Sequence, residues 1–436
     1  MITRLKLQHI GPAPELEVEE FGSRLNLITG DNGLGKTFLL DACWYALTRT
    51  WADGNAFYPS PDVSKEPPPA IEYAIVGKMG KEAENRAEYQ FRDQTWKRRQ
   101  ARPPMPGLVI YARIDGGFSV WDPARNYWRD DDGEVDRPAA YQFSKAQVWD
   151  GLEDGEGDRK KIICNGLLRD VESWRARGNG SFALLQSVLE KLSADENEKL
   201  SLGEGVRVRL DDARDIPTLK MPYGTVPVTQ AAAGMRRVLA LAYLLVWAWD
   251  EHRRAAKLQK EEPTDRVVLL FDEMEAHLHP KWQRVFVPAL LDVVQSLLLG
   301  GHAQSVQVIA TTHSPLVLGS VESSWEAEKD RLFDFDLEGG AVEFEEVDFA
   351  RHGSAENWLS SDSFDLPSGY PVEAQKAMER ADALMKQYPA PNDAPDEEKE
   401  QINVELRRTL GGDDEYWPYW LPYYEQKQNE RTGGAA

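Results

Sequence analysis

Two cysteines, Cys43 and Cys164, are all that the 436 residues contain. Two thiols exclude a disulfide framework and a cysteine-based metal cluster. Cys43 falls in an apolar helical run and reads as core. No apolar run approaches the ~20 residues that a membrane helix needs, and Val238 to Trp249 is too short. No charged-then-apolar leader opens the chain, because Met1 to Leu7 alternates as a strand does. The expectation is a soluble, cytoplasmic protein with no membrane partner. Positive charge is also scarce, with 51 basic against 73 acidic residues and a net charge of −22. That excludes a surface broadly built for nucleic acid and leaves room only for a local groove. The densest basic run is Lys97-Arg98-Arg99-Gln100-Ala101-Arg102, directly after Trp96. There are no internal repeats, no long heptad stretch and no zinc-type Cys/His spacing.

Against these absences stands one octapeptide. Gly30-Asp31-Asn32-Gly33-Leu34-Gly35-Lys36-Thr37 satisfies G-x-x-x-x-G-K-[ST] at every position. Its glycines let the main chain wrap a phosphate so that successive N–H groups face the oxygens. Lys36 is placed to reach β- and γ-phosphates, and the Thr37 hydroxyl to ligate Mg²⁺. Leu25 to Ile28 reads as a strand ahead of the loop. Phe38 to Leu47 reads as a helix behind it, with an N-terminus that favours an anion. ATP and Mg²⁺ are the expected cofactors, and Gly30 through Phe38 the expected binding segment.

Two more segments extend this chemistry. Val267 to Phe271 is an unbroken apolar run, as a strand buried on both faces would be, and it ends in Asp272-Glu273. Downstream of a phosphate loop this is a Walker B pattern. Asp272 would hold Mg²⁺, and Glu273 would polarise the attacking water as general base. A second run, Val306 to Ala310, ends in Thr311-Thr312-His313-Ser314-Pro315. His313 beside the carboxylate strand would donate to the γ-phosphate or to the water. Lys36, Glu273 and His313 are therefore the expected catalytic groups, and Thr37 and Asp272 the expected metal ligands.

Elsewhere the pattern is coarser. Leu5 to Ile10 and Glu15 to Glu20 suggest an antiparallel hairpin, and Ile71 to Gly77 and Leu108 to Ala112 further strands. Phe118 to Arg137 reads as an irregular excursion. Lys145 to Leu192, including Ile162 to Trp174 and Phe182 to Leu192, reads as helical. Leu332 to Leu337 and Val342 to Phe344 suggest a hairpin through Gly339-Gly340. Two amphipathic helices are expected near Val372 to Gln387 and Glu397 to Leu410. The string Tyr416-Trp417-Pro418-Tyr419-Trp420-Leu421-Pro422-Tyr423-Tyr424 is dense in aromatics. It reads as a docking surface for a partner protein, as a nucleic-acid stacking platform despite its acidic flank, or as a segment that packs inward.

The octapeptide, the string Asp272-Glu273-Met274-Glu275-Ala276-His277-Leu278-His279-Pro280 and Thr311 to Pro315 together resemble the ABC-type ATPase superfamily. Within it they are most similar to the SMC/RecF/OLD-like branch of bacterial AAA-type ATPases. The resemblance implies an α/β P-loop NTPase fold of ABC type: a mixed-sheet core, an inserted helical lobe and an α-helical C-terminal extension. It divides the chain into 1–145, the N-terminal part of the core; 146–235, the lobe; 236–350, the rest of the core; and 351–436, the extension. It further implies a homodimer or higher oligomer closing around ATP, with a signature turn reaching the partner's nucleotide. The matching segment is Gln230 to Arg237. Gly234 keeps the close approach, Ala232 replaces the usual serine, and Arg236 or Arg237 supplies positive charge. Gln142 and Gln147 are both open as the glutamine that completes the metal shell in such proteins. The resemblance also implies a separate effector, a nuclease or a toxin, in anti-phage defence. Two alternatives stand beside it: a RecF-like DNA-binding ATPase in repair, and an ATP-binding scaffold that hardly hydrolyses.

Overall fold

The computed structural model describes residues 1–54, 56–59, 67–77, 80–98, 105–126, 139–155, 160–178, 180–195, 199–298, 305–361, 364, 366 and 369–426. Most of the basic run, Arg99 to Arg102, lies outside them. Two units are distinguished, Met1–Trp358 and Leu359–Ala436.

The larger unit is built on an eight-stranded sheet. Its centre is five parallel strands in the spatial order Asp330–Glu338, Leu25–Gly30, Ser305–Thr311, Arg266–Phe271 and Leu108–Ala112. Leu108–Ala112 and Val267 to Phe271 are unbroken apolar runs, and nearly all the central residues of these two, of Leu25–Gly30 and of Ser305–Thr311 are buried. Antiparallel strands finish both edges: Ala341–Val347 on one side, Phe118–Trp121 and Tyr141–Phe143 on the other. A separate five-stranded antiparallel sheet runs Glu15–Val18, Ile2–Gln8, Ala70–Val76, Glu82–Gln90, Thr95–Arg98. The helix Lys36–Thr48 shares one core with both sheets. From Phe38 to Leu47 it is apolar except for Asp41, because that stretch is covered on nearly every side.

Two local expectations give way. Phe118–Trp121 is a regular strand with all four residues buried, so the excursion expected from Phe118 does not start there, and its part from 127 to 137 lies outside the described residues. Lys161–Cys164 is also a strand, paired with Leu152–Asp154, and the helix begins only at Leu167. Apolar runs this short carry no decisive period, so tertiary pairing settled them. The lobe is also richer than helices. Beside Leu167–Arg177 and Ser181–Lys191 it holds a three-stranded antiparallel sheet of Ser201–Arg207, Asp215–Met221 and Gly224–Pro227.

The smaller unit packs Val372–Gln387, Asp396–Thr409 and Trp417–Glu425 around Trp420, which is fully buried. The aromatic string points largely inward. Trp417 and Tyr423 are buried, Tyr416 donates to Asp382 Oδ1 at 2.6 Å, and Tyr423 donates to Tyr388 O at 2.6 Å. Tyr419 alone of the string's tryptophans and tyrosines is strongly exposed, at 73%. Most of the apolar area offered for docking is consumed by the unit's own helices.

Candidate nucleotide site

Parallel strands end at one edge of the sheet, and ligands of open α/β sheets gather outside such carboxyl ends. Leu25–Gly30 runs into the phosphate loop. Gly35, at φ 113°, is the residue before the helix, and a Cβ there would meet Pro12 Cγ at 2.5 Å. Only glycine fits, and the helix start is left without a side-chain cap, its N–H groups free for an anion. Lys36 Nζ donates to Gly30 O at 2.8 Å and Asp31 O at 2.6 Å. Burial holds its pKa below the usual lysine value. Asp31, Asn32 and Gly33 are exposed, whereas Leu34 is buried. Phe38 is also buried and meets Phe57 edge-on at 4.7 Å, so its side chain serves the core.

Thr37 Oγ1 donates to Asp272 Oδ2 at 2.9 Å and lies 3.1 Å from Oδ1. Thus 235 residues of sequence separation close into one contact. Thr311 Oγ1 donates to Asp272 Oδ1 at 3.0 Å and accepts from Glu273 N at 2.8 Å. Burial raises the Asp272 carboxyl above its ordinary pKa, although Thr37 and Thr311 pull it down. A cation beside it would reverse that shift. Among the described residues no group of three or more His, Cys, Asp or Glu could hold a metal unaided. Thr37 and Asp272 with phosphate oxygens nonetheless suit Mg²⁺, which is commonly held by one or two protein ligands plus phosphate and water.

Glu273 adopts φ 45°, a left-handed conformation unusual for a glutamate. Its peptide is pinned from both sides. Thr311 takes its N–H, and Arg237 Nη2 donates to Asp272 O at 3.1 Å and Glu273 O at 3.0 Å. His313 Nε2 lies 3.9 Å from Glu273 Oε1, too far for a hydrogen bond, and is buried without a partner among the described residues. Burial, and then the charge of Lys36, lower the His313 pKa. A neutral ring with an orphaned nitrogen beside a carboxylate is arranged to receive a polar ligand.

The turn from Gln230 to Arg237 is placed differently. Ala232 caps the helix Ala233–Gln259 without any side-chain hydrogen bond. Gly234 is packed so closely that a Cβ would come 2.6 Å from His277 O. Arg237 is committed to its own chain's carbonyls. Arg236 carries no ion pair or side-chain hydrogen bond among the described residues, so it is the arginine left free there. Gln147 is spent in a capping box with Ser144. Gln142 is engaged by Ser119 and by Asp53 N at 3.1 Å, and donates to Trp51 O.

Two family models match the chain, "AAA domain" over residues 4–101 and "AAA ATPase domain" over 184–318. Over these two stretches the chain resembles AAA-type ATPase domains. The two matches bracket the phosphate loop and the Asp272 strand. The chain is 31% identical over 102 residues to "Retron Ec83 probable ATPase" of Escherichia coli, covering 23% of the chain and 16% of that protein. It is 41% identical over 56 residues to "Retron Vc95 probable ATPase" of Vibrio cholerae serotype O1 biovar El Tor, covering 13% and 9%. The matched segments thus span less than a fifth of either relative. The SMC head domain from Thermotoga maritima aligns with 80% of this chain and 99% of its own, at 13% identity and a TM-score of 0.37.

Sequence reasoning assigned no role to Thr311, Glu275 or Asp41, and left Arg237 interchangeable with Arg236. Asp41 sits one turn after Thr37 on the same helix. It shares a hydrogen bond with Tyr111, and burial pushes its pKa to about 7. An acidic residue in an otherwise apolar helix was the available signal. Among the described residues no helix is long and apolar enough to cross a membrane.

Proposed function

We propose that this chain is a Mg²⁺-dependent ATP hydrolase that closes on ATP with a second copy of itself and thereby switches a separate effector. The convergence of Lys36, Thr37, Asp272, Glu273 and His313 at one sheet edge carries this reading. Gly30 to Phe38 wraps the phosphates with main-chain N–H groups, and Lys36 exchanges its two carbonyl partners for phosphate oxygens. Thr37 and Asp272 hold Mg²⁺, whose charge offsets that of the phosphates. Glu273 orients the water and takes its proton at the carboxylate. Neutral His313 donates to the γ-phosphate or the water and so registers whether that phosphate is present.

The dimer is supported by the turn at Ala232 to Arg236, whose free helix N-terminus and unpaired arginine suit the partner's triphosphate. Likeness to two proteins named as retron ATPases supports anti-phage defence, with a nuclease or toxin as the effector. The test is light scattering and ATP turnover on the purified chain. Glu273→Gln is expected to keep ATP binding, lose turnover and accumulate as an ATP-dependent dimer. A monomer at saturating ATP and Mg²⁺ overturns the dimer. The uncapped Ala232 also fits a scaffold that hardly hydrolyses, and turnover unchanged by Glu273→Gln would favour that reading.

A further inference from the structure

The parallel ladder between Leu25–Gly30 and Ser305–Thr311 ends with Thr312 N donating to Ile28 O at 3.0 Å. Past that point the chain leaves the sheet, and the next N–H, that of His313, loses its ladder partner. A main-chain donor at a buried edge requires another acceptor. Here it is a carboxylate: Glu275 Oε1 accepts the His313 N–H. Ser314 N then turns to Thr312 Oγ1 at 3.1 Å. Glu275 lies three residues beyond Asp272, in the bend that follows the carboxylate strand, so it reaches across from one strand end to its neighbour. Burial raises its pKa, and the His313 N–H is the foremost influence opposing that rise.

We infer that Glu275 is the positioning residue that fixes His313, locking its main chain so that the ring faces Glu273. The ring is held by a bond to the Gly30 main chain, which leaves its other nitrogen open. Its Nε2 is unpartnered, and its distance of 3.9 Å from Glu273 Oε1 is set by where the main chain leaves the strand. A charge-assisted bond to the N–H is short and directional, which suits a residue that must hold a neighbour's angle. Glu275 therefore acts through His313 and not on the nucleotide. The role in turnover rests on the ATP hydrolase reading, whereas the link to His313 does not.

The test uses the full chain with Glu275→Ala, Glu275→Gln, His313→Ala and the Glu275→Ala/His313→Ala double variant. A displacement of about 1 Å in a working group lowers turnover by up to ~10²-fold. Glu275→Ala is expected to lower kcat by ~10- to 100-fold with KM for ATP within ~2-fold. Glu275→Gln, which keeps an oxygen acceptor, is expected to recover most of the rate. In the His313→Ala background, adding Glu275→Ala is expected to remove nothing more. An undiminished kcat in Glu275→Ala, or independent losses that multiply in the double variant, overturns the proposal. NMR of imidazole-labelled histidine supplies a readout that needs no turnover. The His313 signal is expected to move in Glu275→Ala and to stay in Glu275→Gln, and an unmoved signal in Glu275→Ala overturns the proposal. A wild-type chain without turnover that still shows this pattern would sink the hydrolase reading and leave the positioning role standing.

Discussion

The phosphate-loop edge and the turn at Ala232 to Arg237 belong to one unit but are built in opposite ways. At the edge, four candidate residues are held, through side chain or main chain, by residues of neighbouring segments. Thr37 is tied to Asp272, Asp272 to Thr311, the Glu273 peptide to Arg237, and the His313 N–H to Glu275. At the turn, the helix cap lacks a side-chain acceptor and Arg236 has no partner among the described residues. Groups with partners inside the chain are preorganised, and groups without them are free to meet something outside it. Gly234 joins the two, because its backbone lies against His277 in the bend after Glu273.

The largest effect that bears on this contrast is at Glu273. Glu273→Gln is expected to lower ATP turnover at least ~100-fold while nucleotide affinity stays within a few-fold, measured by phosphate release and nucleotide titration. An equal loss of affinity would mean that Glu273 builds the pocket and does no proton transfer. Next is Gly234→Ala. Its Cβ would press on the His277 carbonyl, and a loss of ~1–3 kcal/mol in unfolding free energy is expected, read by denaturant titration. An undisturbed protein would show that the turn is not fastened to the edge.

A smaller effect belongs to Asp41. Its native pKa of about 7 lies above the ordinary aspartate value, so the folded chain holds a proton that the unfolded chain releases. Stability therefore falls as pH rises between the two values. Asp41→Asn is expected to flatten that fall, gaining ~2 kcal/mol at pH 8 relative to pH 4 in paired unfolding curves. Equal curves for both proteins would place Asp41 in a more watery setting than its burial indicates. The smallest effect is at Ala232. Ala232→Ser restores a capping hydroxyl and is expected to add ~1 kcal/mol of stability. A tighter ATP-dependent dimer in the same variant would show that the turn works with a donor short.

Much of this site was legible because its parts are contiguous strings that end apolar runs. Lys36, Thr37, Asp272, Glu273 and His313 announce themselves by residue type next to a strand. Thr311, Arg237 and Glu275 do not, since their roles arise from which strands are neighbours. The pairings of Ser305–Thr311 with both Leu25–Gly30 and Arg266–Phe271 bring together residues more than 200 positions apart. The aromatic string also held more signal than its composition. Trp417, Trp420 and Tyr423 recur every three residues and form the buried face of a helix, while Tyr419 falls on the other side.

Local chemistry, then, was decided by the amino-acid order itself. A glycine-rich loop can wrap only a small anion closely, and a carboxylate pair closing an apolar strand has few other uses. What the order could not decide was which main-chain groups lose their ladder partners at the sheet edge, and which side chains reach across to replace them. That depends on strand neighbours, and strand neighbours are chosen by the whole core at once.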